Sequence, residues 1–472
     1  MRWSKPLSFL LSTLAVAILF TMHWIKQTFG EVTYEQIVWH ILNVDTLQGF
    51  DHNYLRNALT HLVKIIIYSF IIGIFIKYID ITLNKLFGYS QRKIQTFTIL
   101  ASSILFIYSA VSFVIRYIDT NIISYNEKDF IAENYYIPEN IVFNKKNNII
   151  IVLAESLENS FGADFHETSY IERLEKVRDA AVHTPHMVQV YGTGWTIAAV
   201  TAWHFGLPLK TPHNIDGNRY ISRSGFLPHA TSIFDILHEN GYTLKLLLGS
   251  DKHFSGKHIL FPGHGKFEIQ DKAYFLSKGN ELEAHQGTEW GYRDAFLFDR
   301  AVEEYLRLKQ KGIPFVLFIE TVDTHSPNGF CPEENKKFFD IRDAIIELDR
   351  NIDKFFKKIK QYDTNQEDIV IILGDHYFMG IPDFMKTVQQ RYIYNMFYGP
   401  VPILPEQKKN AVISALDIAP TLLQCAGARW ENGRFGLGVS FFSEEPSLVE
   451  QYGLEKLNDL LSNTSKKYES FY

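Results

Sequence analysis

Cysteine is almost missing from this chain: 472 residues contain two, Cys331 and Cys425. That excludes a disulfide framework and any zinc–thiolate spacing, and leaves at most one bridge, between those two, in an oxidising compartment. An excess of positive charge is missing as well. The formal net charge is −6, so there is no electrostatic footprint for nucleic acid. Internal repeats and low-complexity tracts are also lacking.

Long apolar runs, by contrast, are present. Residues 6–25 and 95–115 carry no formal charge, and each is about the length that crosses a bilayer core as a helix. Residues 65–76 are intensely apolar but short, flanked by Lys64 and Lys77, whose long side chains can snorkel to the interfaces. They are read as a third span. The first run has Arg2 and Lys5 before it, like a signal peptide, but it is long and lacks a clear small-residue cleavage site. An uncleaved anchor is the expectation.

Charge placement orients the spans. Arg2 and Lys5 precede the first, and Lys77, Lys85, Arg92 and Lys93 lie between the second and third. The intervening loop carries Glu31, Glu35, Asp45 and Asp51. By the positive-inside rule the basic segments are cytoplasmic and everything after about residue 118 lies outside. Two spans instead of three would leave that part in the cytoplasm. The expected layout is a membrane anchor of about three helices (1–118), a polar linker (119–146) and an extracytoplasmic catalytic domain (147–472).

In that last part the pattern changes to α/β. Apolar strands are expected at 148–154, 243–249, 314–320 and 368–373, with helices at 169–181, 229–239, 294–310 and 335–360. Such alternation predicts a three-layer, mostly parallel sheet with helices on both faces. Strands covered on both faces read as continuous apolar runs, and ligand sites lie at their carboxyl ends.

The residues at those ends carry the chemistry. IVIILGDH (369–376) stops at Gly374 and delivers Asp375 and His376; IIIVLAES ends at Glu155. Each alone is as readily a polar turn or a solvated charge. Together on one rim, two carboxylates and an imidazole suit Mn²⁺, Zn²⁺ or Mg²⁺ better than a soft metal. YGTGWTIAAVTAWHFGLPL (191–209) places Thr196 at a helix start before a stop at Gly206. Locally an N-cap is the favoured role. Beside a metal, at a helix end that attracts phosphate, the same hydroxyl becomes a nucleophile. VDTHSP (322–327) presents His325 to hold a transferred group or act as acid or base, and EWGYRDAF (289–296) offers Trp290 as a packing ring and Arg293 as a phosphate cation. His258 and His264 lie in a long Gly- and His-rich loop without an assigned role.

The order LAES, GTGWT, THSP and LGDH resembles the lipoteichoic acid synthase and membrane phosphoglycerol transferase branch of the alkaline-phosphatase and sulfatase superfamily. LDIAPTLLQCAG (416–427) is similar to a helix typical of that superfamily. The GTGWT stretch with FSGK and HGKF looks closest to the phosphoglycerol transferases that decorate periplasmic glucans. The resemblance covers roughly residues 146–430. It implies a metal, manganese first, on Glu155, Thr196, Asp375 and His376. It also implies attack by Thr196 on a phospholipid head-group phosphate, with diacylglycerol released and the phospho-alcohol passed to an envelope glycan. His325, Trp290 and Arg293 would contact the head group. A nucleophile segment without Cys or Ser followed by Pro-x-Arg disfavours a formylglycine sulfatase, and the Asp-His-Gly-Glu sequence of lipid A phosphoethanolamine transferases is lacking. A membrane-anchored phosphodiesterase and a non-catalytic membrane sensor are the alternatives.

Overall fold

The computed structural model describes residues 4–29, 37, 52–87, 89–118, 128–210, 225–282, 290–326, 329–330 and 340–472. The chain forms two compact units. The first holds three helices: α1 (Ser4–Phe29), α2 (His52–Phe87) and α3 (Gln91–Ile118). Each contains a stretch long and apolar enough to cross a membrane: Pro6–Lys26, Ala58–Phe75 and Arg92–Val111. Large apolar side chains such as Ile66, Phe70, Ile104 and Tyr108 face outward, as lipid-facing residues do. Ser8 and Ser12 of α1 hydrogen-bond Ser102 of α3 at 2.8 and 2.9 Å, a small-residue contact of the kind that joins helices in lipid. The middle span is longer than its most apolar residues suggested. Helicity runs on through 52–64, so Lys64 lies inside the apolar stretch rather than at its edge.

The second unit is built on a six-stranded sheet: β1 (Ile149–Ala154), β2 (Thr243–Leu248), β3 (Glu268–Gln270), β4 (Phe315–Glu320), β5 (Ile369–Gly374) and β6 (Asn395–Tyr398). Their order across the sheet is β3-β2-β4-β1-β5-β6, all parallel except β6. The four strands expected from apolar runs are there. The two edge strands are short and lack such runs.

Side chains of β1 alternate between two cores, as a period of two requires. Ile149, Ile151 and Leu153 join one, with α5 (Thr196–Phe205) and α6 (Ile233–Glu239). Ile150, Val152 and Ala154 join the other, which includes residues of α4 (Glu172–Arg178), α8 (Asp294–Lys311) and α9 (Ile341–Tyr362). The helix α7 (Lys257–Gly263) follows β2, and α10 (Ile418–Cys425) lies in the first core. Cys425 is buried in α10; Cys331, and with it any pairing of the two, lies outside the described residues.

The expected linker is corrected over its second half. Phe130 and Ile131 are buried in the first core, and Val142–Phe143 pairs with Ala428–Arg429. These apolar side chains tie residues 130–143 into the second unit. Residues 119–127 lie outside the described part.

Candidate active site

The parallel register decides which residues meet. Ala154 of β1 pairs with Gly374 of β5, so Glu155 and Asp375 emerge side by side at the carboxyl rim. A Cβ at Gly374 would lie 1.9 Å from the Leu157 carbonyl oxygen, so only glycine permits this approach. Beyond β1 the chain turns at Ser156, whose φ of 53° is left-handed and strained for a residue with a Cβ. That turn aims the Ser156 N–H at Asp375 Oδ1, 2.8 Å away, and the Ser156 hydroxyl at Glu155 Oε1, 2.7 Å away.

Glu155, Asp375 and His376 are almost fully buried, with one potential ligand atom from each within 4.8 Å of the others. His376 donates its Nδ1 proton to the Tyr377 carbonyl at 2.7 Å. Its Nε2 therefore faces inward, 3.3 Å from Asp375 Oδ2 and 3.6 Å from Glu155 Oε1.

Thr196 completes the cluster. Trp195, not Thr196, is the N-cap residue of α5, and Thr196 is the first helical residue. Its hydroxyl does no capping; it donates to Glu155 Oε2 at 3.1 Å and lies 3.5 Å from His376 Nε2. The helix ends at Gly206 with φ 62°, the left-handed stop that glycine favours. Thr196 is half-buried while the three acid–imidazole groups below it are closed off.

The electrostatics ask for a cation. Burial opposes ionisation of Glu155, but His376, His325 and the Ser156 and Thr196 hydroxyls outweigh it and hold its carboxyl below the usual range. Burial and then the charge of Glu155 push Asp375 up to about 7. Burial disfavours the His376 cation, yet Asp375 and Glu155 raise its pKa. Asp375 Oδ2 is buried with no hydrogen-bond donor among the described residues, and an orphaned carboxylate oxygen of this kind is expected to have a partner. Two carboxylates, an inward imidazole nitrogen and a hydroxyl form a mixed oxygen–nitrogen set that fits one divalent metal.

The other expected residues divide. The His325 ring lies tilted against that of Trp290, centroids 4.6 Å apart, and His325 interacts electrostatically with Glu155. Arg293 is engaged elsewhere: Nε lies 2.9 Å from Asp323 Oδ1 and Nη2 donates to the Phe330 carbonyl at 2.7 Å. His264 is held between Asp235 and the Phe226 carbonyl, a structural role. His258 lies against His253 at 4.5 Å.

Several groups escaped sequence reasoning. Thr321 Oγ1 accepts the Glu155 N–H, and Thr324 donates to the Glu155 carbonyl. Glu158 takes the Arg391 guanidinium and the Phe378 N–H, bracing the segment after His376. Glu320, the last residue of β4, pairs with Lys257. The rule that found Glu155, an acid at the end of an apolar strand, applies equally to Glu320.

The sulfatase family model matches residues 147–428. Phosphoglycerol transferase I of Xanthomonas campestris pv. campestris (strain B100) is 30% identical over 306 residues, 62% of this chain and 42% of that protein. Phosphoglycerol transferase I of Escherichia coli O127:H6 is 28% identical over 326 residues, 67% of this chain and 42% of that protein. The chain thus spans less than half the length of the curated relatives it matches. The crystal structure of the lipoteichoic acid synthase LtaP from Listeria monocytogenes aligns over 67% of this chain and 76% of that one, at 16% identity and a TM-score of 0.49. The two phosphoglycerol transferases carry a name of the branch that the motif order resembled. With the model match covering more than half of its length, the chain belongs to the sulfatase family.

Proposed function

We propose that this protein is a membrane-anchored transferase that moves a phosphoglycerol or phosphoethanolamine head group from a phospholipid to an envelope glycan through a phospho-threonine at Thr196. The observation that carries it is the Thr196 hydroxyl, at the start of a ten-residue helix and 3.1 Å from Glu155. Glu155, Thr196, Asp375 and His376 would hold one divalent metal, manganese first and zinc or magnesium next. Such an ion would lower the pKa of the hydroxyl and offset charge on the phosphoryl oxygens.

This chain's own residues do the rest. The N-terminus of α5 attracts the phosphate. Glu155 takes the Thr196 proton through its hydrogen bond as the oxygen attacks phosphorus, and returns it when the Thr196 oxygen leaves in the second half. The new bond is Thr196 Oγ1–P, and the bond to the diacylglyceryl oxygen breaks. His325, its ring tilted against Trp290, would protonate that leaving oxygen and later take the proton of an acceptor hydroxyl. In the second half the acceptor oxygen attacks phosphorus and the Thr196 oxygen leaves. Arg293, tied to Asp323, supports the loop that carries His325 rather than the phosphate.

The three apolar helices support an anchor in the cytoplasmic membrane, with residues after 118 on the outer side, close to the lipid donor. The family match also favours a second reading, a phosphodiesterase in which water replaces the acceptor. Head-group-labelled phospholipid separates them. Label on glycan, abolished by Thr196→Ala, supports transfer; free glycerol phosphate as the sole labelled product contradicts it.

A further inference from the structure

Thr196 stands on α5 and His376 just past β5, and one side chain outside the site touches the supports of both. Gln189 follows the short strand His186–Val188. That strand is fixed on two sides: it pairs in parallel with Val412–Ser414, and the Met187 carbonyl accepts the Ile393 N–H at 2.8 Å. Gln189 therefore starts from a rigid base.

Its amide reaches Tyr377. Gln189 Oε1 accepts the Tyr377 N–H at 3.0 Å, and the Gln189 backbone N–H donates to the Tyr377 hydroxyl at 3.2 Å. That hydroxyl donates in turn to the Arg391 carbonyl at 2.8 Å, and the Arg391 guanidinium lies 4.9 Å from the centre of the Tyr377 ring. Glu158 holds the same guanidinium and the next N–H, that of Phe378. The N–H, hydroxyl and ring of Tyr377 are thus taken up by the scaffold, and its carbonyl accepts the His376 Nδ1 proton. A carbonyl held in this way fixes the tautomer and direction of the imidazole, as a metal-ligating histidine requires.

The other end of the amide faces the nucleophile loop. Only the amide oxygen can accept the Tyr377 N–H, so Nε2 points away from Tyr377. Residues 190–193 fold back on themselves, the Thr193 N–H and hydroxyl both donating to the Val190 carbonyl at 3.2 and 2.8 Å. Gly194 is thereby laid on the amide: a Cβ there would lie 2.7 Å from Gln189 Nε2 and 3.2 Å from its Cδ. Thr196 opens α5 two residues later.

We propose that Gln189 is a positioning residue, a strut that sets the His376 imidazole against the loop carrying Thr196. It acts through Tyr377 on one side and Gly194 on the other. This rests on the metal set proposed above.

The test uses the full chain, with Mn²⁺ affinity read by calorimetric titration and diacylglycerol release from phosphatidylglycerol vesicles read beside it. Gln189→Ala removes the acceptor of the Tyr377 N–H and should weaken Mn²⁺ binding by about tenfold or more. Gly194→Ala drives the amide off Tyr377 and should do the same, although residue 194 is no ligand. The double variant should bind Mn²⁺ no more weakly than Gln189→Ala, because the new methyl then has no amide to displace. In Gln189→Ala, kcat should fall while the KM for phosphatidylglycerol holds. Additive losses in the double variant, or wild-type affinity in either folded single variant, overturn the strut and leave the transferase reading standing. A raised KM with kcat unchanged also overturns it, since Gln189 would then be a substrate contact. A wild type that binds no Mn²⁺ overturns the metal set and the strut with it. Gln189→Met keeps the bulk and loses the acceptor, which covers poor folding of the alanine variant. It should lose Mn²⁺ affinity to the same degree, and wild-type affinity in it overturns the proposal.

Discussion

Two buried carboxylate pairs, each beside one basic side chain, include residues just past strand ends of the same sheet: Asp323 after β4 in one, Glu155 after β1 and Asp375 after β5 in the other. Asp294 and Asp323 with Arg293 form a closed knot. Asp294 accepts the Val322 and Asp323 N–H groups, and Asp323 Oδ2 accepts the Asp294 N–H and Arg293 Nε. Asp323 Oδ1 accepts no hydrogen bond among the described residues but lies 2.9 Å from the same guanidinium nitrogen, so a permanent cation closes the knot. Glu155 and Asp375 with His376 form an open one: it holds no guanidinium, and Asp375 Oδ2, with no hydrogen-bond donor among the described residues, has the imidazole nitrogen 3.3 Å away. The first knot uses acids to fix a loop. The second leaves one potential ligand atom from each of its three side chains within 4.8 Å of the others, with no permanent cation among them. The difference lies in what neutralises the acids, a guanidinium already in place or room for a cation still to come, although the residue types are nearly the same.

The sharpest way to break this contrast is to neutralise one acid in each. Asp375→Asn should lower head-group release on the order of a thousandfold. Without metal its melting temperature should equal or exceed that of the wild type, because a buried like charge is removed. Added Mn²⁺ should stabilise the wild type and not the variant, as binding to the native state alone requires; a calorimetric scan of each with and without metal decides it. A variant as active as wild type would dissolve the distinction.

Asp294→Ala should act the other way. It uncaps two N–H groups and leaves Asp323 and Arg293 in a broken buried network, destabilising the fold by about 3 kcal/mol. Chemical denaturation measures that loss. Activity per folded molecule should fall only as far as the His325 loop loosens, and a stable but inactive protein would place Asp294 in the chemistry instead.

A smaller effect follows from pH. Burial pushes Asp323 up to about 6 and, with the charge of Asp323, raises Asp294 further above the usual range. A carboxyl whose folded pKa is raised contributes stability that is full below its ordinary pKa near 4 and lost as pH rises through about 6. The melting temperature of wild type minus that of Asp323→Asn should therefore shrink between pH 4.5 and 7. A gap that widens over that range contradicts the assignment.

Much of this was legible in the sequence, for physical reasons that can be named. Strands covered on both faces have to be apolar throughout, so β1, β2, β4 and β5 announced themselves, and an acid at such a strand end stands out. The edge strands β3 and β6 are three and four residues long and carry no such mark. Thr196 was found by its helix start, but only the fold shows that its hydroxyl leaves capping aside for Glu155. Arg293 was offered as a phosphate cation because spacing cannot reveal a partner thirty residues away, and Asp323 had claimed it. The hydroxyls of Thr321 and Thr324 carry no signal at all, since their role lies in backbone contacts that only the parallel register creates.

The claim at the centre is that the open knot serves a threonine nucleophile. The most direct measurement is mass spectrometry of the peptide spanning residues 191–209 after the Mn²⁺-loaded protein has met phosphatidylglycerol vesicles without acceptor. One glycerophosphoryl group on Thr196, discharged when glycan is added, is the predicted result. Diacylglycerol released while that peptide stays unmodified, with Thr196→Ala equally active, would contradict it.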